Sequence, residues 1–316
     1  MEKEYKKNEI FFWNEKMKLT NIIQDEYKNI QKKDIKAAIL PKRLPKYELL
    51  EYTYSLIEKH YENRHKRAIL QDIYSEAQTF FIEKKQNKKI TKETIESFVD
   101  LLPYFEGQDW FSYTGFVISA MINTHYKIKK QKEKYILKID HLKKTIDGIG
   151  FALDGPSLHI IGNIGCQNFN YMMGGIATIF GNAIELGSYK TGGTIEIFGN
   201  SYFTGQKHAG GSIYVHGNCS SFLAEEMIGG NIIVDGDCGK SACERMMSGT
   251  VTIKKNADEN FCSDLRGGTV FLKGKTKYVI AKNMERGTIY LNNKIKISKK
   301  IIGGTIFVNE RAVYQK

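Results

Sequence analysis

From Gly155 to the C-terminus the chain repeats itself every 18 or 19 residues, a period that leaves very few folds open to it. Aligned on the second residue of a Gly-Gly pair or its equivalent, the anchors are Gly175, Gly193, Gly211, Gly230, Gly249, Gly268, Gly287 and Gly304. The steps between them are 18, 18, 19, 19, 19, 19 and 17 residues, and Pro156 opens an earlier copy. A short fixed period marks a solenoid, in which each repeat buries its apolar face against its neighbours alone.

Two residues after the anchors stand Leu158, Ala177, Ile195, Ile213, Ile232, Val251, Val270, Ile289 and Ile306. Four after stand Ile160, Ile179, Ile197, Val215, Val234, Ile253, Leu272, Leu291 and Val308. Apolar residues at i and i+2, mostly β-branched, describe a strand with one buried face; a helix would need spacings of three and four. Nine such strands stacked in parallel make a rod roughly 40 Å long, at about 4.8 Å per coil. The intervening outward position ends in Ile233, Phe271, Tyr290 and Phe307, a candidate interface strip on an otherwise ordinary β surface. The glycines that follow the strands (Gly162, Gly181, Gly199, Gly217, Gly236, Gly274), usually with Asn or Asp behind them, predict tight corners at positive φ. A ladder three residues before each anchor (Met172, Met227, Met246, Leu265, Met284, Ile301) reads as flexible core filling rather than soft-metal ligation, and Lys190 and His208 interrupt it.

The fullest copies run Gly162-Asn-Ile-Gly165-Cys-Gln-Asn-Phe169-Asn-Tyr-Met172-Met-Gly-Gly175 and Gly236-Asp-Cys-Gly239-Lys-Ser-Ala-Cys243-Glu-Arg-Met246-Met-Ser-Gly249. Over residues 155–309 this resembles the GXGXG repeat found in the C-terminal domain of glutamate synthase (large chain) and in a component of formylmethanofuran dehydrogenase. The resemblance implies a right-handed, single-stranded parallel β-helix of about nine coils. It also implies a scaffold that holds together the catalytic parts of an oxidoreductase or amidotransferase assembly without binding their cofactors. The third glycine of the repeat is replaced by Phe169, Ala224, Cys243 and Cys262. No cysteine follows Met1, and the N-terminal half is too short for a (β/α)₈ barrel, which needs about 200 residues or more.

Residues 1–134 follow a different pattern. Leu49, Leu50, Tyr54, Ile57 and Tyr61 recur at helical spacing, Thr91-Lys-Glu-Thr94 opens a helix that Pro103 stops, and a third helix is expected from Trp110 to Ile128. The expected organisation is α+β: an all-helical domain over 1–134, a connecting and capping segment over 135–154 with a β-like stretch at Tyr135–Ile139, and the β-helix over 155–316. Covering the open first coil is the simplest role for the helices. The aromatic cluster Tyr104, Phe105, Trp110, Phe111, Tyr113 and Phe116 reads as the core of that domain in preference to a docking surface.

Net charge is +12, with 29 basic and 22 acidic residues up to position 150 and 18 against 13 beyond it. That even excess, almost all lysine, argues against a nucleic-acid module. The charged start predicts no secretory leader, no apolar run is long enough for a membrane span, and a cytoplasmic setting with reduced thiols follows. Cys219 and Cys238 each stand eight residues after an anchor, and Cys243 and Cys262 each thirteen, so both pairs should stack on adjacent coils. They are the only metal candidates; Ala183, Ser201 and Ala257 in one ladder, with Ala224 and Ala281 in the other, favour small core residues instead. No carboxylate is expected in register beside His159, His208 or His216, and Glu185, Glu196 and Asp235 look scattered. The residues thus predict no catalytic constellation and no bound cofactor. The resemblance implies other protein subunits or a second copy as partners, the competing class being a stand-alone carbohydrate- or ligand-binding β-helix, with or without its own activity.

Overall fold

A computed structural model of the chain describes residues 52–53, 55–57, 59–60, 69–83, 90–105, 111–129 and 133–316. The expectations for residues 1–51, for Tyr54, Tyr61 and Trp110, and for the side chains of Tyr104 and Phe105 lie outside the described residues. The repeat region is a parallel β-solenoid. Among the described residues its main sheet has 11 strands, from β1 (Lys134–Lys138) at one edge to β15 (Arg311–Gln315) at the other. Nine of these are the predicted repeat strands: β2 (Ser157–Ile161), β3 (Ile176–Phe180), β5 (Thr194–Ile197), β7 (Ser212–Val215), β9 (Ile228–Val234), β11 (Ser248–Ile253), β12 (Thr269–Leu272), β13 (Thr288–Leu291) and β14 (Thr305–Val308). The register matches the sequence alignment, with Ile195, Ile213 and Ile232 side by side and Val251, Val270, Ile289 and Ile306 continuing the row.

A second, four-stranded sheet carries β4 (Ala183–Leu186), β6 (Ser201–Thr204), β8 (Cys219–Ser221) and β10 (Cys238–Lys240). Single bridges at Ile164–Ala183, Cys238–Ala257 and Ile280–Ile297 extend its path towards both ends. A third ladder closes each coil: Phe169, Gly187, Gly205, Ala224, Cys243, Cys262 and Ala281 succeed one another through backbone bonds between consecutive coils. All seven take positive φ, between 55° and 69°. This is the slot of the missing third glycine, and L residues occupy five of its rungs in a conformation that costs about 1–2 kcal/mol each.

The corner after each main-sheet strand differs from the expectation. Of the glycines there, only Gly162 has positive φ. At Gly181, Gly199, Gly217, Gly236 and Gly274 a Cβ would run into the carbonyl or side-chain oxygen of the preceding coil, so close approach and not handedness excludes a side chain. The asparagines behind them form a polar ladder. Side-chain oxygens of Asn163, Asn182, Asn200, Asn218, Asp237 and Asn256 each accept the backbone N–H of the residue one coil on, at 2.8–2.9 Å. It is the anchors from Gly175 to Gly304 that hold positive φ, from 73° to 101°.

The solenoid begins earlier than the repeat suggests. β1 (Lys134–Lys138), expected inside a connecting segment, pairs in parallel with β2 from Lys134–Ser157 to Lys138–Ile161 and so forms a rung of its own. Among the described residues, helical backbone at 52–53, 55–57 and 59–60 and the helices α1 (Ile69–Ile82), α2 (Lys92–Phe98) and α3 (Thr114–Lys129) precede it, with 3₁₀ turns over Val99–Phe105 and Phe111–Tyr113. Thr91 caps α2 as its sequence predicts, its Oγ1 accepting the Thr94 N–H at 3.1 Å. α3 lies against residues 146–154 and satisfies the backbone of that first open turn. Ser119 Oγ donates to Gly148 O and accepts from Gly150 N, both at 2.8 Å, while Asn123 Nδ2 donates to Ala152 O at 3.1 Å. On the outer edge of β1 the Glu96 carboxylate accepts the Ile136 N–H at 2.7 Å, which blunts a strand edge that would otherwise invite pairing. At the far end β15 (Arg311–Gln315) runs antiparallel to β14 and closes the stack.

Candidate functional site

A solenoid offers three kinds of place for chemistry: its outer ladders, its interior and its ends. On the outer face of the main sheet, Phe180, Phe198 and His216 follow one another one coil apart with stacked rings, at centroid separations of 5.1 and 4.6 Å. Against expectation, His216 has carboxylates on both sides. Its Nε2 lies 2.8 Å from Glu196 Oε1 and its Nδ1 3.0 Å from Asp235 Oδ2. Asp235 follows His216 in the same ladder, and Glu196 belongs to the neighbouring outward ladder one coil back. The contact is therefore diagonal and escapes a search for residues at one repeat offset. An ionised carboxylate accepts, so a ring nitrogen that carries the proton donates to its carboxylate. Lys254 Nζ then meets Asp235 Oδ1 at 2.7 Å, so a chain of contacts runs from Glu196 through His216 and Asp235 to Lys254. Both ring nitrogens thus lie within hydrogen-bonding distance of a carboxylate.

A second charged cluster, absent from the sequence expectations, lies on the side of the third ladder. Arg245 meets Glu225, Glu226 (Nε, 3.2 Å) and Glu244 (Nη1, 2.8 Å), and Lys207 reaches Glu226 at 3.6 Å. These partners are 19 or 20 residues apart or adjacent, so the repeat spacing is their only sequence signal. Glu185, the third of the supposedly scattered carboxylates, accepts from Asn170 Nδ2 and Ser188 Oγ at 3.0 Å each.

Inside, the thiols pair by rung. Cys219 and Cys238 are register partners in the second sheet, and Cys243 and Cys262 are consecutive rungs of the third ladder. All five cysteines are free. Burial pushes the Cys219 thiol up to about 12, and burial followed by the neighbouring thiols raises Cys238 and Cys262 well above the usual range. Among the described residues no group of three or more His, Cys, Asp or Glu side chains is arranged to hold a metal ion.

Lys190 and His208 occupy two rungs of the methionine ladder, and both are fully buried. Lys190 Nζ donates to Gly193 O at 2.6 Å and Gly210 O at 3.0 Å. His208 Nε2 lies 3.3 Å from Gly211 O, while its Nδ1 has no partner. Burial pushes the Lys190 ammonium down to about 8; burial, with the Lys190 charge second, pushes His208 down to about 4.

The candidate interface strip is half-buried, because Phe271, Tyr290 and Phe307 stack on one another at 4.8 and 4.9 Å and cover each other's faces. Ile233 lies on the same row, beside Tyr214 and Thr252. The more exposed apolar surface is on the second sheet, where Ile184 (43% exposed), Tyr202 (49%) and Phe222 (36%) surround Phe203. The rings of Tyr202 and Phe203 meet at 4.7 Å and those of Phe203 and Phe222 at 5.7 Å. Adjacent positions on consecutive coils here carry large apolar groups, whereas the same rows further on hold Ser221, Lys240 and Glu259.

No helix among the described residues is long and apolar enough to cross a membrane. Comparison with known proteins returned no match: no family model, no curated protein and no solved structure is significantly similar to this chain.

Proposed function

We propose that the chain is a non-catalytic scaffold, a β-solenoid whose second sheet docks the subunits of a larger assembly. The observation that carries this reading is the cluster of exposed Ile184, Tyr202 and Phe222 with half-buried Phe203. Contiguous apolar groups on a soluble surface mark a contact site, and aromatic residues dominate the energetics of such contacts. The polar groups that would do chemistry elsewhere are occupied here: His216 by two carboxylates, Arg245 by three, the thiols by burial. The resemblance to the GXGXG scaffolds suggests an oxidoreductase or amidotransferase complex in the cytoplasm. Under that proposal the solenoid is right-handed, an all-helical domain precedes it, and partners bring the cofactors.

The test is affinity purification of the tagged chain and of its Tyr202→Glu/Phe203→Glu variant from the native host. Catalytic subunits recovered in stoichiometric amount with the wild type and lost with the variant would support the proposal. A partner retained by that variant but lost with Tyr290→Glu would move the docking site to the strip of Ile233, Phe271, Tyr290 and Phe307. A solitary chain would refute the scaffold. It would favour the ligand-binding reading, for which the Phe180–Phe198–His216 stack beside Glu196 and Asp235 offers the mixture of ring faces and carboxylates that sugars use.

A further inference from the structure

The positive charge of the solenoid is concentrated at one end. Residues 151–272 hold 7 basic and 11 acidic side chains, a net charge of −4, whereas residues 273–316 hold 11 basic and 2 acidic, a net charge of +9. The even distribution read from the two halves of the chain thus hides a strong polarity along the rod. In the acidic coils the cations are mostly neutralised: Arg245 by three glutamates, Lys207 by Glu226, Lys240 by Glu259 at 2.6 Å and Lys254 by Asp235. From Lys273 onward the supply of carboxylates is Glu285 and Glu310 alone.

Placement on the coils makes the imbalance sharper. All eleven cations are exposed. Between the end of β12 and the Ile280–Ile297 bridge one coil carries Lys273, Lys275 and Lys277; after β13 the next carries Lys294 and Lys296. Beyond that bridge, the bonds Ser298 N to Ile280 O and Ile302 N to Met284 O fix a 17-residue offset, which sets Lys282 over Lys299 with Lys300 beside it. Earlier rungs of the same surface set Lys240 over Glu259 and Lys207 over Glu226; here lysine lies over lysine. Like charges on adjacent rungs repel, and a sequence keeps such an arrangement when something outside the fold relieves it.

We infer that this basic collar around the last coils binds nucleic acid through its phosphates, without reading bases. Three observations select that occupant. The cations follow the coil around more than one side of the rod, from the main-sheet strand end through the second side to the third ladder. A flexible polyanion can follow such a path, whereas a flat bilayer touches one side. Lys273, Lys275 and Lys277, like Lys294 and Lys296, stand on alternate residues, no more than about 7 Å apart along the chain, a separation comparable with that of neighbouring phosphates in a strand. Nine of the eleven are lysines, point charges suited to a phosphate backbone, and not the forked guanidinium that reads guanine edges. The collar is separate from the apolar cluster on the second sheet, so scaffold and nucleic-acid contact can operate together.

The experiment is fluorescence anisotropy of a labelled single-stranded oligonucleotide of mixed sequence with the full chain, titrated at several salt concentrations. It is repeated with the Lys294→Gln/Lys296→Gln/Lys299→Gln/Lys300→Gln variant, whose fold is verified by circular dichroism and thermal melting. The wild type should bind with little sequence preference. The variant should bind at least 10-fold more weakly, with a log–log salt slope shallower by up to about 3, since each lost phosphate contact removes about 0.7 for single strands. Absence of oligonucleotide binding by the wild type overturns the inference. So does equal binding by the variant, which would place the contact elsewhere in the chain, and so does partition onto phosphatidylserine vesicles without oligonucleotide binding.

Discussion

Acidification should loosen this solenoid through one histidine. His208 is fully buried in the methionine ladder, its Nδ1 has no partner, and burial together with the Lys190 charge pushes its pKa down to about 4. An unfolded chain releases that proton near the ordinary 6.5. Between the two values the unfolded state binds more protons than the folded one, so stability falls as the pH drops through that window. The difference of roughly 2.5 units corresponds to about 3 kcal/mol, fully present above pH 6.5 and lost by pH 4. His208→Met removes the titration and extends the ladder of Met172, Met227, Met246 and Met284 by one rung. The Gly211 carbonyl is not orphaned, because it also accepts from Asn231 N at 3.0 Å. Urea unfolding at pH 7 and pH 4, followed by far-ultraviolet circular dichroism, measures both chains. Carboxylates titrate in both, so the informative quantity is the extra acid loss of the wild type. An extra loss of about 3 kcal/mol is predicted, and identical acid losses would refute the buried, unpaired imidazole.

The same ladder predicts an alkaline counterpart. Lys190 is pushed down to about 8 from the ordinary 10.4, so between those values the unfolded chain alone keeps its proton, wild-type stability should rise from pH 8 towards pH 10 with this group contributing no slope at lower pH, and Lys190→Met should lose that rise. Thiol titration with an aromatic disulfide at pH 8 should label at most the half-buried Cys166 in the native protein, itself slow because burial and the nearby Asp147 and Glu185 push it up to about 11. All five cysteines should react after unfolding; rapid native labelling of Cys219 or Cys238 would contradict their closed interior.

What the sequence revealed, and what it concealed, follows from how each feature is encoded. The row from Leu158 to Ile306 was legible because a solenoid writes each buried ladder as one recurring column. The stacking of Cys219 on Cys238 followed from the same arithmetic. The His216 cluster did not, since its contact to Glu196 crosses between columns and emerges only once two outward ladders are placed side by side. The corner glycines were read as conformational when Gly181, Gly199 and Gly217 are steric, a distinction that needs the position of the preceding coil's oxygens. The first rung at β1 stayed hidden because Tyr135, Leu137 and Ile139 keep the strand alternation but lack the glycine anchor. Lys190 and His208 showed only as interruptions of a pattern, and their burial, not their identity, gives them their consequence.

Docking through the second sheet, and not through the ladder around His216, can be tested directly. Hydroxyl-radical footprinting of the free chain and of its purified complex reads side-chain accessibility at both places in one experiment. Docking there predicts strong protection of Tyr202, Phe203 and Phe222 in the complex, with Phe180, Phe198 and His216 oxidised as in the free chain. Protection of the His216 ladder with Tyr202 and Phe222 still exposed would contradict it.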